Sequence, residues 1–483
     1  MPNIIEQQPK YDVLPVGQDI IFAVSNANIV ANQLKVKFVA EVHISSGTPP
    51  NTSSTADKIG TFKTTPNNAG VGIFDFQSLL ENYVGPQNIG GGSGDGSRYK
   101  GVSIYDQPHP IHVIDKYSRN IQSIFYFAIQ FKVEYSTSAT SPVSIDSNQT
   151  VNSDSYLMFN GVLQRENYLT RGEVNASGTL VQGANYGYDL ESNLFYPGTG
   201  AAGSKFLTNA PTTQYANIND YGTFAFFDRL PNAADRVDLI RLKYYNSAGV
   251  QIGTEDVVNN TTNGGVTAAN TFVTTKYLFI GAFPGNLQNT STTFKTLVAA
   301  GTIQGGYYTA ELKTNAGGSN QLYTINLNCP TAKGYESIRL AWLNQWGAWD
   351  YYTFTMKSVR STTTNRTTYT QMGGTWNDSV YEIEGYKGGK KNFRVNSTER
   401  IQINSDFLTE ADAVWFEELM NSQSVYILNG YNATESTFTI TNKYVEPVLI
   451  TTSSYTRKTI ANDKLIQYTF DLERNKTQKT QPA

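Results

Sequence analysis

The stretch LKVKFVAEVHI (34–44) sets Leu34, Val36, Phe38, Ala40, Val42 and Ile44 against Lys35, Lys37, Val39, Glu41 and His43. Successive side chains of an extended chain point to opposite faces, so eleven residues of period two predict a strand with one face on a core. Outward from it the same texture recurs. DIIFAV (19–24) precedes it and IQSIFYFAIQFKVEY (121–135) follows. Aromatic-rich runs then come between Gly/Asn/Thr loops: YLMFNGVLQ (156–164), YGTFAFFDRL (221–230), KYLFIGAF (276–283), GYYTAELKT (306–314) and LYTINLNC (322–329). VDLIRLKYYNSAGVQIG (237–253) reads as a hairpin turning at Asn246-Ser247-Ala248-Gly249, and SIRLAWLNQWGAWDYYTFTMKSV (337–359) as two strands about Gln345-Trp346-Gly347-Ala348. The expected fold class is mostly β, with several β-sandwich or barrel-like domains in series and one α-helix packed on a sheet in the C-terminal domain.

A chain of 483 residues exceeds the size at which one core stops growing. The expected divisions are 1–155, a β domain with a glycine-rich insertion at 85–101; 156–265 and 266–365, two further β domains; and 366–483, a strand–helix–strand domain ending in the polar tail 475–483. Phe76 to Tyr83 reads as a short helical turn, and no long helix is expected before residue 360. The one good helix is placed at 409–421. Thr409 and Asp412 match a capping box, and Ala411, Trp415 and Leu419 fall on one stripe as its structural core. RIQIN (400–404), SVYIL (424–428), TFTIT (437–441), PVLITTS (447–453) and KLIQYTFDLE (464–473) supply the sheet beneath it.

Composition narrows the function. Charged residues are 16% of the chain and the polarity comes from Thr, Asn, Ser, Gln and Gly, a mixture for strands, turns and wide contact surfaces rather than solvated helices. A net charge of −3 offers phosphate no attraction, so nucleic acid is excluded as a partner. The single cysteine, Cys329, closes no disulfide within the chain. The opening MPNIIEQQPKYDVLPVG has no basic, apolar signal pattern and no run of 18 apolar residues occurs, so synthesis in a cytoplasm without membrane insertion is expected. The tail NKTQKTQPA (475–483) holds nothing apolar, and a neighbouring subunit is expected to hold it.

Candidate chemistry reduces to blander readings. Asp106, His109, His112 and Asp115 would share a helical face, but Pro108 and Pro110 forbid that helix, so no metal site is expected. His43 alternates with the core residues of its strand and reads as a satisfied, half-buried side chain. Cys329 reads as a small buried hydrophobe, and the Gly90–Gly96 run as a linker rather than a phosphate cradle. Glu382 with Glu384 on a strand, and Glu417 with Glu418 on a helix, read as solvated faces rather than a glycosidase dyad. Neither catalytic residues nor cofactors are expected. All five tryptophans lie between 342 and 415, and Trp342, Trp346 and Trp349, with Tyr351 and Tyr352, form the candidate interaction cluster. It is expected to fill the junction of the third and fourth domains or to contact another subunit; stacking on sugar rings is the alternative.

LNQWGAWDYYTFTMKSVRS (343–361), FLTEADAVWFEELMNSQSVYIL (407–428) and EPVLITTSSYTRKTIANDKLIQYTFDLE (446–473) resemble virion structural proteins of tailed phages infecting Bacteroidota. LKVKFVAEVHI, VGIFDFQSLLENYV, YLMFNGVLQ, KFLTNAPTTQY and DYGTFAFFDRL extend the likeness over most of the length. The resemblance implies a structural subunit of the virion tail, a ring, hub, baseplate or fibre-anchoring protein working through contacts with copies of itself and other virion proteins. It carries over no active-site motif. The alternatives are a glycan-binding adhesin or receptor-binding protein that takes a host surface glycan through exposed Trp and Tyr, and a polysaccharide hydrolase, which requires carboxylates converging in one cleft.

Overall fold

A computed structural model describes residues 2–9, 12–86, 116–119, 123–162, 164, 195–196, 203–228, 236–266, 276–314, 321–327, 335–376, 378–429, 444–456 and 466–475. Strands take up 50% of the structure and helices 12%, in several separate sheets, which bears out the mostly β expectation. The strand that begins at LKVKFVAEVHI runs Leu34–Ser45 between antiparallel neighbours Lys58–Thr64 and Ile124–Ser136. Its alternation is real, but from Phe38 onward both faces are buried rather than one. His43 and Glu41 are therefore interior groups.

Apolar residues gather into three cores. The first lies between a three-stranded sheet (Ile4–Gln7, Ile21–Ser25, Val71–Asp75) and a six-stranded sheet containing Leu34–Ser45, Ile124–Ser136 and Tyr156–Val162, with Phe22, Phe38, Phe131 and Met158 at its centre. The second is built by a five-stranded sheet ordered 213–215, 322–326, 307–314, 237–245, 251–258 and a three-stranded sheet of Thr223–Phe227, Tyr277–Gly281 and Tyr117–Arg119. Strands from both sides of residue 265 thus share one sheet. The hairpin predicted at 237–253 is present, Val237–Tyr245 pairing with Gln251–Val258. The third core lies under a seven-stranded antiparallel sheet ordered 349–354, 338–343, 425–428, 445–450, 469–474, 389–404, 359–371.

Neighbouring cores share walls. In the strand pair Ile338–Leu343 and Trp349–Phe354, Ile338, Leu340, Trp342, Tyr352 and Phe354 face the third core, while Ala341, Leu343, Trp349 and Tyr351 face the second. Between the first two cores, Ile124, Tyr126, Leu157 and Phe159 face the second, whereas Phe127, Ile129, Tyr156 and Met158 face the first. These are the runs without polar alternation, as expected of strands buried on both sides.

The C-terminal helix forms at Glu410–Asn421. Both bonds of the capping box are made: Asp412 N–H donates to the Thr409 hydroxyl at 3.3 Å and Thr409 N–H donates to the Asp412 carboxylate at 2.8 Å. Trp415 and Leu419 bury as expected, with Phe416 between them; the Ala411 side chain lies outside the described residues. The turn predicted at 76–83 contains a helix at Gln77–Leu80. Two short helices, Pro284–Thr290 and Thr292–Ala299, occupy part of the 266–365 segment read as strands and loops. Pro284 presets the first and the Ser291 hydroxyl caps the second, accepting from Phe294 N–H at 2.8 Å. Each is too short for its periodicity to show. TFTIT (437–441), the insertion from 87 onward and the tail from 476 lie outside the described residues.

The wall between the second and third cores turns at the predicted Gln345–Ala348. Asn344 organises it, its side-chain oxygen accepting from Trp346 N–H and Ala348 N–H, both at 3.0 Å, while its amide donates to the Leu207 carbonyl at 2.9 Å. Gly347 adopts φ 72°, and a Cβ placed there would lie 2.0 Å from the Asn160 carbonyl oxygen. Left-handed strain and a backbone clash coincide at this position. Gly347→Ala is expected to cost about 2–4 kcal/mol, read as a lowered urea midpoint with an unchanged slope; wild-type stability in that variant would show that the turn does not lock the wall.

Candidate functional site

The predicted aromatic cluster is interior. Trp342, Trp346, Trp349 and Tyr351 are 0, 4, 2 and 4% exposed, and Tyr352 is half-buried. They do not form one patch. Trp342 packs on Trp415 in the third core, ring centroids 4.9 Å apart, whereas Trp346, Trp349 and Tyr351 lie in the second. Period two separates residues that look clustered in sequence. Sugar stacking by Trp342, Trp346 and Trp349 is incompatible with this burial, since a stacking platform must expose a ring face.

Asp350 ties these elements together. Fully enclosed, it accepts from Thr208 Oγ1 at 2.6 Å and from Trp415 Nε1 at 2.7 Å. Burial raises its pKa to about 6 against those donors. Glu418, read from sequence as part of a solvated helix face, is instead turned inward. Burial and then the nearby Asp350 charge push its pKa to about 8, while the Asn209 amide donates to it. Two adjacent carboxylate charges, one buried and one half-buried, repel, so a proton on one of them is favoured. The other pair, Glu382 and Glu384, lies outside the strands, with Lys387 pairing to Glu384.

Beside this centre opens a cavity of about 590 Å³ lined by Tyr351, Tyr352, Thr353, Trp415, Asp406 and Asp412 among others. Tyr215 and Phe407, 62 and 53% exposed, bring aromatic rings to it, and no Lys or Arg is among its lining residues. Its two carboxylates serve the backbone: Asp412 caps the helix and Asp406 accepts from Phe407 N–H at 2.8 Å. The volume lies in the range of ligand pockets.

A projecting ribbon, of which the sequence pattern marked only RIQIN (400–404) at its root as strand, stands out from the body. Val359–Gln371 and Gly389–Asn404 form an antiparallel ribbon, but only Arg400–Asn404 pairs with the rest of the sheet, through Thr469–Arg474. From Thr362↔Glu399 to Gln371↔Gly389 the two strands have only each other, giving a projection of roughly 30 Å at about 3.4 Å per residue. Its base is clamped by charge. Arg474 bonds Glu399 at 3.0 Å and Glu446 at 2.6 Å, and Arg360 bonds Glu336 at 2.7 Å. Its distal end is folded, with Thr375 Oγ1 donating to the Val380 carbonyl at 2.8 Å and Trp376 edge-on to Tyr381 at 5.6 Å. Yet Trp376 is 62% exposed, Tyr386 73%, Phe393 74% and Ile383 87%. The signal was present in the Thr-rich run RSTTTNRTTYT (360–370), where β-branched residues favour strand without the apolar alternation that marks a core.

Of the other candidates, His43 is 1% exposed rather than half-buried, because both faces of its strand are covered, and its two ring nitrogens lack a hydrogen-bond partner rather than being satisfied; burial lowers its pKa. His109, His112 and Cys329 lie outside the described residues. Among the described residues no three His, Cys, Asp or Glu side chains gather as a metal site, and no helix is long and apolar enough to cross a membrane. Compared with known proteins, the chain matches no family model and no curated protein.

The paired carboxyls set a pH dependence. Both have folded-state pKa values above the ordinary carboxylate range near about 4, so the folded chain retains protons that the unfolded chain releases. Their stabilising contribution is present at pH 4 and is lost as pH rises toward about 8. Glu418→Gln is expected to flatten the fall of Tm over that range; a fall as steep as wild type would show that Glu418 does not titrate within it.

Proposed function

We propose that the chain is a non-catalytic structural subunit of a phage virion, associated with the tail and acting through contacts with copies of itself and with other virion proteins. The observation that carries this reading is the ribbon 359–404 with its exposed apolar end. An isolated two-stranded ribbon is marginal in water, and this one holds Trp376, Ile383, Tyr386 and Phe393 more than 60% exposed each. A projecting arm of this kind is stabilised when a partner covers it. The low charge content and the Thr-rich strands of the arm suit an extended contact surface, and the sequence resemblance points to the tail.

The cavity favours a second reading, a glycan-binding adhesin. Tyr215 and Phe407 supply rings and Asp406, Asn217 and Gln214 supply hydrogen-bonding groups, the composition of a sugar site.

Sedimentation and electron microscopy of the purified full chain separate the two. A discrete symmetric oligomer is expected; a monomer at all concentrations that binds polysaccharide extracted from a Bacteroidota host, and loses that binding in Phe407→Ala, would overturn the structural reading in favour of the adhesin.

A further inference from the structure

Resting on that structural reading, we infer that the arms of two copies of this chain pair side by side in opposite directions, the acidic tip of each seated on a basic, aromatic patch of the other's stem. The arm divides by charge. Its paired stem, 359–371 with 389–404, carries six Lys and Arg against Glu399 alone, whereas the tip, 372–388, carries Asp378, Glu382 and Glu384 against Lys387 alone. Near the base the stem's cations are used within the chain, Arg360 on Glu336 and Arg400 on Glu473. Toward the tip they are not. Among the described residues Lys391 reaches only the Tyr386 carbonyl and Arg394 only the Asn396 side chain, Lys387 is taken by Glu384, and Asp378 and Glu382 have no cation within ion-pair distance.

Register defines the patch. Thr367 lies opposite Arg394 and Tyr369 opposite Lys391, and cross-strand partners share a face. The shift between Thr367 and Thr368 leaves Phe393 unpaired in the ladder, its ring edge-on to Tyr369 at 6.5 Å. Two exposed aromatic rings thus sit between Lys391 and Arg394.

The tip presents the complement: Trp376, Ile383 and Tyr386 uncovered, with Asp378 and Glu382 among them. It folds in on itself, Thr375 bonding Val380 and Glu382 and Trp376 packing on Tyr381, and leaves the patch on its own stem exposed. The surface that suits the tip in both sign and polarity is therefore carried by the same arm, yet one arm does not join its own two halves. Two arms set antiparallel join them twice, tip on patch at both ends, which is the self-complementarity that a two-fold contact requires. Parallel arms would instead set tip against tip and patch against patch, like charge on like.

Charge exchange in the full chain tests this pairing. Asp378→Lys/Glu382→Lys makes tip and patch alike basic, and Lys391→Glu/Arg394→Glu makes them alike acidic. All four side chains lie outside the three cores, so a Tm close to wild type is expected for both variants. In analytical ultracentrifugation each variant alone is expected to associate at least about tenfold more weakly than wild type. An equimolar mixture is expected to regain wild-type association, because each basic tip then meets an acidic patch and each acidic tip a basic one. Wild-type association by both variants, or a weakening that mixing does not restore, would overturn the arm pairing and leave the structural reading intact. A chain that stays monomeric at every concentration would overturn both.

Discussion

The architecture depends on strands that are apolar on both faces. Residues 338–343 and 349–354 form a hairpin whose even-numbered Ile338, Leu340, Trp342, Tyr352 and Phe354 pack one core and whose odd-numbered Ala341, Leu343, Trp349 and Tyr351 pack the next. Removing such a wall from water on both sides makes it the most strongly driven element locally. It also means that the second and third cores cannot separate without exposing the face each presents to the other. The pair formed by 124–136 and 156–162 does the same between the first and second cores. The chain is a series of cores joined by shared walls rather than by linkers.

A wall buried on both faces has no tolerance for stray polar groups, which explains how Asp350 is treated. Its carboxylate is held by Thr208 before the wall and by Trp415 on the helix beyond it, so one acidic group connects three segments distant in sequence. Buried polar groups survive when they are bonded, and such networks fix a single arrangement where apolar packing alone leaves several. Arg339 is held similarly. Its guanidinium donates to the Tyr221 carbonyl and Thr353 hydroxyl and lies over the rings of Phe283 and Tyr351 at 5.0 and 5.1 Å. Specificity of register and helix placement rests on these few groups, and bulk stability on the aromatics around them.

A body stiffened in this way can carry a ribbon that contributes nothing to any core. The arm 359–404 is rooted by Arg474, Glu399 and Glu446 on the seven-stranded sheet and beyond that root has no contact that burial would reward. Its Trp376, Ile383 and Tyr386 are placed by the arm's own turn, not by the body. Apolar surface held out and uncovered in this way has a physical rationale in association.

Much was legible in the amino-acid order. Period two at 34–44, the unbroken apolar runs, the hairpin at 237–253 and the box Thr409/Asp412 are local signals, and each produced its element because backbone geometry links neighbours in sequence. Where the local signal was short or silent, tertiary structure decided. The helices at 284–299 are held by flanking contacts rather than by periodicity. The arm has no apolar stripe because it has no core to face. The tryptophans at 342, 346 and 349, adjacent in sequence, were divided between two cores because a strand sends alternate side chains in opposite directions, and only the packing of distant strands says what waits on each side. Glu418 changed from solvated to half-buried for the same reason: sequence sets which face of a helix a residue occupies, but the partner brought against that face, here the segment carrying Asn209 and Asp350, is determined by the fold as a whole.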